Sequence, residues 1–143
     1  MGRAKHGDAQ MIYKQKLRSM AEAVALVRPE DTMAAPIATG QPAAFLSALN
    51  ERNDFRQLTV FSGLLIEPYA VFTKPGVRFI SGFYGPIERM LKAMGARVDY
   101  LPADFLGWER YAMQAAPRVM VSAVAPLDEH GYLSFGLHSG ASF

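Results

Sequence analysis

Residues 78–101 read RFISGFYGPIERMLKAMGARVDYL, and this stretch decides the fold. Its first four residues predict a strand, and the glycine-rich turn 82–85 follows. Pro86 suits the first turn of a helix, and Gly95 suits the helix end because glycine adopts the left-handed conformation without strain. The last four residues predict a second strand. Strand, helix and strand in this order predict a parallel pair joined by a crossover helix.

The same alternation extends on both sides of this unit. Ser19 and Glu22 have the spacing of a capping box, and Pro29 ends the helix that they open. Further helices are predicted after Pro42 and over 105–115. Strands are predicted at 32–38, 58–61, 118–125 and 132–135. We therefore predict an α/β fold, with a mainly parallel sheet and helices on both faces.

Within this alternation, residues 118–125 carry the strongest strand signal. Their nearly continuous row of small apolar side chains is typical of a parallel strand that is covered on both faces.

Composition indicates one globular domain. The chain has 143 residues, of which 50% are hydrophobic and 20% charged. No interior linker is evident, so we predict a flexible segment at 1–12 and one domain at 13–143. Residues 136–143 come directly after a predicted strand, and we therefore expect the domain to be incomplete at its C-terminal end.

Several classes of protein are disfavoured. The chain has no cysteine, which excludes disulfides and thiolate metal sites. Its first residues lack the apolar core of a signal peptide, and no apolar run approaches the ~20 residues that a spanning helix needs, so we expect a cytoplasmic protein and no membrane. The formal net charge is +2, but the basic residues are scattered, and we expect no nucleic-acid partner.

Three glycine-containing turns each come after a predicted strand, at 39–42, 81–85 and 126–131. Ligands of open α/β sheets bind beyond the carboxyl ends of the strands, and glycine allows a ligand to approach the backbone closely. Two of these turns open helices, whose N-termini favour anions. Taken alone, these glycines are better explained as residues that only make tight turns.

The third turn contains Asp128, Glu129 and His130, residue types that serve acid–base catalysis. A solvated turn in which the aspartate binds its own backbone explains the same pattern and is favoured on spacing alone. His130 and His138 have no third ligand at a useful spacing, so we expect no metal site.

Residues 125–136, APLDEHGYLSFG, resemble the Ser-Pro-x-Asp-x-His-Gly-Tyr-x-Ser-x-Gly signature of the acetyl-CoA hydrolase/transferase family, which includes 4-hydroxybutyrate and butyrate CoA-transferases. Ala125 replaces the usual serine. Weaker matches occur in the family's order at 16–19, 22–24, 40–42, 81–86 followed by Arg89, and 99–102. The likeness covers nearly the whole chain after about Ile12.

This resemblance implies an active site between two related α/β domains. A glutamate of the carboxy-terminal domain attacks the acyl-CoA thioester, giving an acyl–glutamyl anhydride and then a glutamyl–CoA thioester. A carboxylate acceptor makes such an enzyme a transferase, and water makes it a hydrolase. No carboxylate of this chain matches that glutamate's motif, so no catalytic residue is assigned.

The resemblance also implies that the turns near residues 40, 83 and 130 share one cleft that binds substrate. The expected wall residues are Gly40, Gln41, Pro42, Gly82, Phe83, Gly85, Asp128, His130, Gly131 and Ser134. Asp128 and His130 are expected to fix their turn rather than touch substrate.

The expected substrates are short acyl-CoA thioesters and small carboxylates, so coenzyme A enters as substrate and no separate cofactor is expected. The expected partners are a carboxy-terminal domain of the same chain and further copies of it. Two alternatives stay open: a non-catalytic module for a small anionic or phosphorylated ligand, and an interaction domain.

Overall fold

The computed structural model describes residues 6–137. This part of the chain contains one five-stranded sheet. The strands are β1 Thr32–Ala34, β2 Leu58–Ser62, β3 Val77–Ser81, β4 Arg97–Tyr100 and β5 Val119–Met120. Their order is β4-β3-β2-β1-β5, and every neighbouring pair is parallel. The carboxyl ends of all five strands therefore lie at one edge, and the predicted parallel sheet is confirmed.

Five α-helices accompany the strands in the described part of the chain. They are α1 His6–Lys16, α2 Met20–Ala25, α3 Ala43–Ala48, α4 Pro86–Ala93 and α5 Phe105–Gln114. Short 3-10 helices lie at Ala38–Gly40, Leu49–Glu51 and Ala70–Thr73. No helix within residues 6–137 has the length and apolar composition needed to cross a membrane.

Two predicted helix ends are confirmed. The Ser19 hydroxyl accepts a hydrogen bond from the Glu22 N–H, and the Glu22 carboxylate accepts one from the Ser19 N–H at 2.8 Å. These reciprocal bonds satisfy backbone donors that the first turn of α2 cannot pair itself. Gly95 lies just beyond α4 with a φ of +89°, the left-handed conformation expected of a helix terminator.

Helices cover both faces of the sheet. Val60 and Phe79 are in register on adjacent strands and share one face, where the Phe79 ring stacks on Phe72 at a centroid distance of 4.3 Å. Phe61 alternates to the opposite face, and its ring lies 6.5 Å from that of Trp108 in α5. The predicted covering of both faces is thus confirmed.

The main core lies on the face of Phe79. Its fully buried side chains come from four of the strands and from several helices, and include Met33, Leu58, Val60, Phe79 and Val98 of the strands and Leu46, Leu49, Phe72 and Leu91 of the helices. Each such side chain contributes roughly 1.5–3 kcal/mol relative to an exposed one. The carboxyl edge therefore adjoins a fully buried core.

The predicted strand at 118–125 is wrong in length and position. Only Val119 and Met120 form β5, which pairs with β1 alone at the edge of the sheet, and Met120 is exposed. An apolar run does not reveal which strand ends a sheet. The strand predicted at 132–135 is reduced to one antiparallel bridge between Val124 and Phe135.

Another predicted strand end differs from the structure, whereas the domain boundary predicted at residue 12 stays a prediction. The strand predicted at 32–38 ends at Ala34, because Pro36 has no N–H for the ladder and a 3-10 helix begins at Ala38. The boundary predicted at residue 12 falls inside α1, so residues 6–12 are helical and continuous with residues 13–16. Whether residues 6–12 move stays a prediction.

Candidate functional site

The turn that leaves β1 is joined to the next strand by Gln41. This side chain is buried, with 3% of the residue exposed. Its amide nitrogen donates to the Gly63 carbonyl at 3.0 Å and to the Ser62 hydroxyl at 3.3 Å. Its amide oxygen accepts from the Ile66 N–H at 3.4 Å. Gln41 therefore orients the chain beyond β2 as well as its own turn.

The chain that leaves β2 is a short loop, residues 63–66, which we call the rim loop. Ser62, just before it, donates its hydroxyl to the Pro36 carbonyl at 2.9 Å. Gly63 is buried, and a Cβ there would stand 3.1 Å from the Phe83 backbone nitrogen and 3.3 Å from the Phe83 ring. Glycine at 63 thus allows the turn after β3 to approach closely.

Glu88, in the first turn of α4, fixes the other side of the rim loop. Only 1% of this residue is exposed. Its Oε1 accepts from the Leu65 N–H at 2.9 Å and lies 3.3 Å from the Ser81 hydroxyl, and its Oε2 accepts from the Gly85 N–H at 3.0 Å. A buried carboxylate is costly without such donors, so these bonds hold the loops after β2 and β3 together.

The glycines after β3 are explained by packing. A Cβ at Gly82 would stand 2.8 Å from the Trp108 ring, and one at Gly85 would stand 2.8 Å from Oε2 of Glu88. The space beside each of these glycines is therefore occupied by a side chain of the protein itself. The close backbone approach to a ligand that the sequence predicts at Gly82 and Gly85 stays a prediction.

Two of the three predicted turns contact the rim loop at the carboxyl edge. The turn with Gly40, Gln41 and Pro42 contacts the rim loop through Gln41, and the turn with Gly82, Phe83 and Gly85 contacts it through Gly63 and Glu88. The strands that carry them, β1, β2 and β3, are neighbours in the sheet. Both turns therefore border one region.

The third predicted turn is held by the Asp128 side chain and lies against α1. Asp128 accepts from the Tyr132 N–H at 2.8 Å and from the His130 N–H at 2.9 Å. The Tyr132 bond is the main reason that the pKa of this carboxyl lies below its usual value. Gly131 has a φ of +83°, and a Cβ there would stand 2.9 Å from the Ala9 Cβ.

This third turn also leads back toward the first. The Ser134 carbonyl accepts from the Ala125 N–H at 2.8 Å, and two residues earlier the Ala123 N–H lies 3.4 Å from the Gly40 carbonyl. The described hydrogen bonds of residues 128–134 stay within the segment 125–134. That Asp128, His130, Gly131 and Ser134 share a cleft with the first two turns remains a prediction.

The rim loop and its neighbour expose apolar side chains. Leu64 is 42% exposed, Ile66 45% and Phe83 37%. Leu64 also adopts a φ of +48°, a conformation that a branched apolar residue rarely takes. No metal-binding cluster of three His, Asp or Glu residues occurs within 6–137; His138 lies outside these residues.

Sequence reasoning missed the rim loop and Glu88. Ser62-Gly63 comes directly after a predicted strand, as the other candidate turns do, and could have been included on that ground. Glu88 stands three residues after Gly85 and two after Pro86, the third helical position, where a carboxylate often returns to the helix start. This spacing could therefore have identified Glu88 as a residue that binds the start of α4.

Comparison with known proteins relates the chain to CoA transferases. No family model matches it. It is 29% identical over 129 residues to succinyl-CoA:cyclohexane-1-carboxylate CoA transferase of Geobacter metallireducens, and the match covers 87% of this chain and 29% of that protein. The similarity supports a CoA-transferase-like domain. The chain thus spans less than a third of the length of this curated relative.

The fold recurs in a solved structure. The crystal structure of RipA from Yersinia pestis superposes with a TM-score of 0.77 at 24% identity, over 90% of this chain and 34% of that one. The parallel α/β architecture is therefore that of a known fold.

Proposed function

We propose that this chain is the amino-terminal domain of an enzyme of the acetyl-CoA hydrolase/transferase family, acting on short acyl-CoA thioesters and carboxylates. The observation that carries the proposal is that turns 40–42 and 82–85 both contact the rim loop at the carboxyl edge, where open α/β sheets bind ligands. The similarity to a CoA transferase and the signature at 125–136 support the same function.

In the proposed reaction, a glutamate of a second domain attacks the thioester carbonyl carbon. A C–O bond forms, the C–S bond breaks, and CoA leaves as the thiolate. The thiolate then attacks the glutamyl carbonyl of the anhydride, which forms the glutamyl–CoA thioester and releases the first carboxylate. An acceptor carboxylate then attacks the glutamyl–CoA thioester, and the same two steps in reverse order release the acceptor as its CoA thioester. If water attacks the glutamyl–CoA thioester instead, CoA and free glutamate are released.

The residues of this chain would form one wall of the site. Gly40, Gln41 and Pro42 would border it from β1, and Gly82, Phe83 and Gly85 from β3. Asp128, His130, Gly131 and Ser134 would complete it if the third turn lies alongside. Glu88 is unsuited to be the nucleophile, because it is buried and both carboxylate oxygens already accept hydrogen bonds.

The hydrogen bond between the Gly85 N–H and Glu88 weakens the alternative of a module for phosphorylated ligands. An anion at the start of α4 would compete with the Glu88 carboxylate for the Gly85 N–H. Calorimetry with CoA, acetate and a sugar phosphate distinguishes the two functions. Sugar-phosphate binding without CoA-ester binding would favour the alternative.

The test uses the protein at the length that its gene encodes. We expect turnover of acetyl-CoA or butyryl-CoA, and formation of a new CoA ester on addition of a different carboxylate identifies a transferase. The 143-residue chain, assayed in parallel, is expected to be inactive. Absence of turnover by the gene-length protein with every short acyl-CoA would contradict the proposal. Its subunit count, expected to exceed one, is measured by light scattering.

A further inference from the structure

The rim loop presents apolar side chains from a backbone that is fixed on both sides. Leu64 and Ile66 point to solvent, while Leu65 between them is buried. The Leu65 N–H is bound by Glu88 and the Ile66 N–H by Gln41, both of them buried side chains. The Glu88 and Gln41 side chains thus hold the loop in one conformation.

Stability does not explain the residue at 64. A left-handed backbone costs a non-glycine residue roughly 1–2 kcal/mol, and glycine or asparagine would occupy it more cheaply. Leu64 combines this backbone with a side chain that gains little from burial, since 42% of the residue is exposed. Strain of this kind is retained where a side chain must be presented in one direction.

The position of the loop favours a small ligand. It continues from β2, which has β1 and β3 as its neighbours, at the carboxyl edge where ligands of such sheets bind. The Phe83 ring lies against Gly63 and adds a third exposed apolar surface. Three side chains match a short hydrocarbon group, whereas a stable protein interface takes roughly 20–30 residues a side.

We propose that Leu64 and Ile66, together with Phe83, contact the hydrocarbon part of the acyl group and make the enzyme prefer apolar acyl chains of several carbons to acetyl. This inference rests on the proposed function. In it, Gln41 and Glu88 are positioning residues that act through the rim loop.

The test compares hexanoyl-CoA with acetyl-CoA as substrates of the gene-length protein. For each enzyme, kcat/KM for hexanoyl-CoA is divided by kcat/KM for acetyl-CoA. Leu64→Ser and Ile66→Ser are each expected to lower this ratio about tenfold, as the loss of apolar contact to a substrate does. Leu64→Gly, which relaxes the backbone as it removes the side chain, is expected to lower it equally. The control is Met94→Ser: Met94 is 65% exposed just after α4, toward the opposite edge of the sheet.

Three results are distinguishable. A lowered ratio in the rim-loop variants, with an unchanged ratio in Met94→Ser and unchanged melting temperatures, supports the inference. If every variant turns over both thioesters with the same ratio of kcat/KM values as the unchanged protein, this inference is overturned and the proposed function is not. Failure of the unchanged protein to turn over any acyl-CoA overturns the proposed function and this inference with it.

Discussion

Gly82 is a residue at which side-chain packing narrowly limits the sequence. It is buried directly after β3, and the hydrogen-only side of its Cα faces the Trp108 ring. Two ring carbons would lie 2.8 and 2.9 Å from an added Cβ, closer than van der Waals contact allows. The glycine therefore lets α5 cover the Phe61 face of the sheet.

Gly82→Ala is expected to displace Trp108 and to lower the free energy of unfolding by about 1–3 kcal/mol, as overpacking does. Trp108 is the only tryptophan of the chain, so its fluorescence reports the displacement directly. The matched control is Gly136→Ala, since a Cβ at 136 would have no neighbour within 4 Å. An emission spectrum and a urea midpoint identical to those of the unchanged chain would show that Trp108 does not pack in this way.

Among the elements, α4 has a role beyond covering the sheet. Its first turn supplies Glu88, which binds backbone N–H groups in the loops after both β2 and β3. Those two loops and the helix therefore behave as one unit. Movement of any one of them would leave a buried donor or acceptor unpaired.

Glu88→Gln tests this unit. The amide oxygen accepts one of the two N–H bonds, but the NH2 group then faces the other donor, so one bond is lost. We expect the free energy of unfolding to fall by about 1–3 kcal/mol in urea denaturation. Glu51→Gln, at an exposed position, is the control and should change it by less than about 0.5 kcal/mol. Equal effects of the two substitutions would refute the role of Glu88.

Elements with local signals were predictable and those set by distant contacts were not. The capping box at Ser19 and Glu22 and the terminator Gly95 depend only on neighbours in sequence, and both appear as predicted. The carbonyls and amides that Gln41 binds are more than twenty residues away. No periodicity marks such pairs, so the sequence predicts the site as turns without the side chains that hold them.

For the whole molecule, one ion pair joins distant parts of the chain. Asp31 precedes β1 and Arg118 precedes β5, 87 residues later, and their side chains form a salt bridge. Arg118 also donates to the Leu26 carbonyl at 2.6 Å, and Asp31 accepts from the Arg28 N–H at 2.6 Å. This cluster holds the edge strand β5 against the sheet.

Asp31→Asn is expected to destabilise the chain by about 2 kcal/mol at neutral pH, the scale of hydrogen bonds to a charged group. The Arg118 guanidinium holds the pKa of Asp31 below its ordinary value of 3.8. A lowered pKa means that the contribution is complete above pH 3.8 and is lost as the pH falls through the lowered value.

Urea denaturation from about pH 7 to about pH 2 measures both effects. Asp54→Asn is the control, because the Asp54 side chain is 54% exposed and its pair with Arg52 should contribute less than about 1 kcal/mol. If Asp31→Asn and the unchanged chain lose stability in parallel below about pH 4, the ion pair does not fasten β5.

The parallel strand order also constrains how the chain reaches this structure. Because every neighbouring pair in the sheet is parallel, no pair forms from a tight local reversal, and partners such as Thr32 and Thr59 must meet across a long intervening segment. Closing such segments loses entropy before contacts compensate, so folding in milliseconds to seconds is expected rather than in microseconds. β5, whose partner β1 lies farthest back along the chain, would be the last strand to dock and the first to detach.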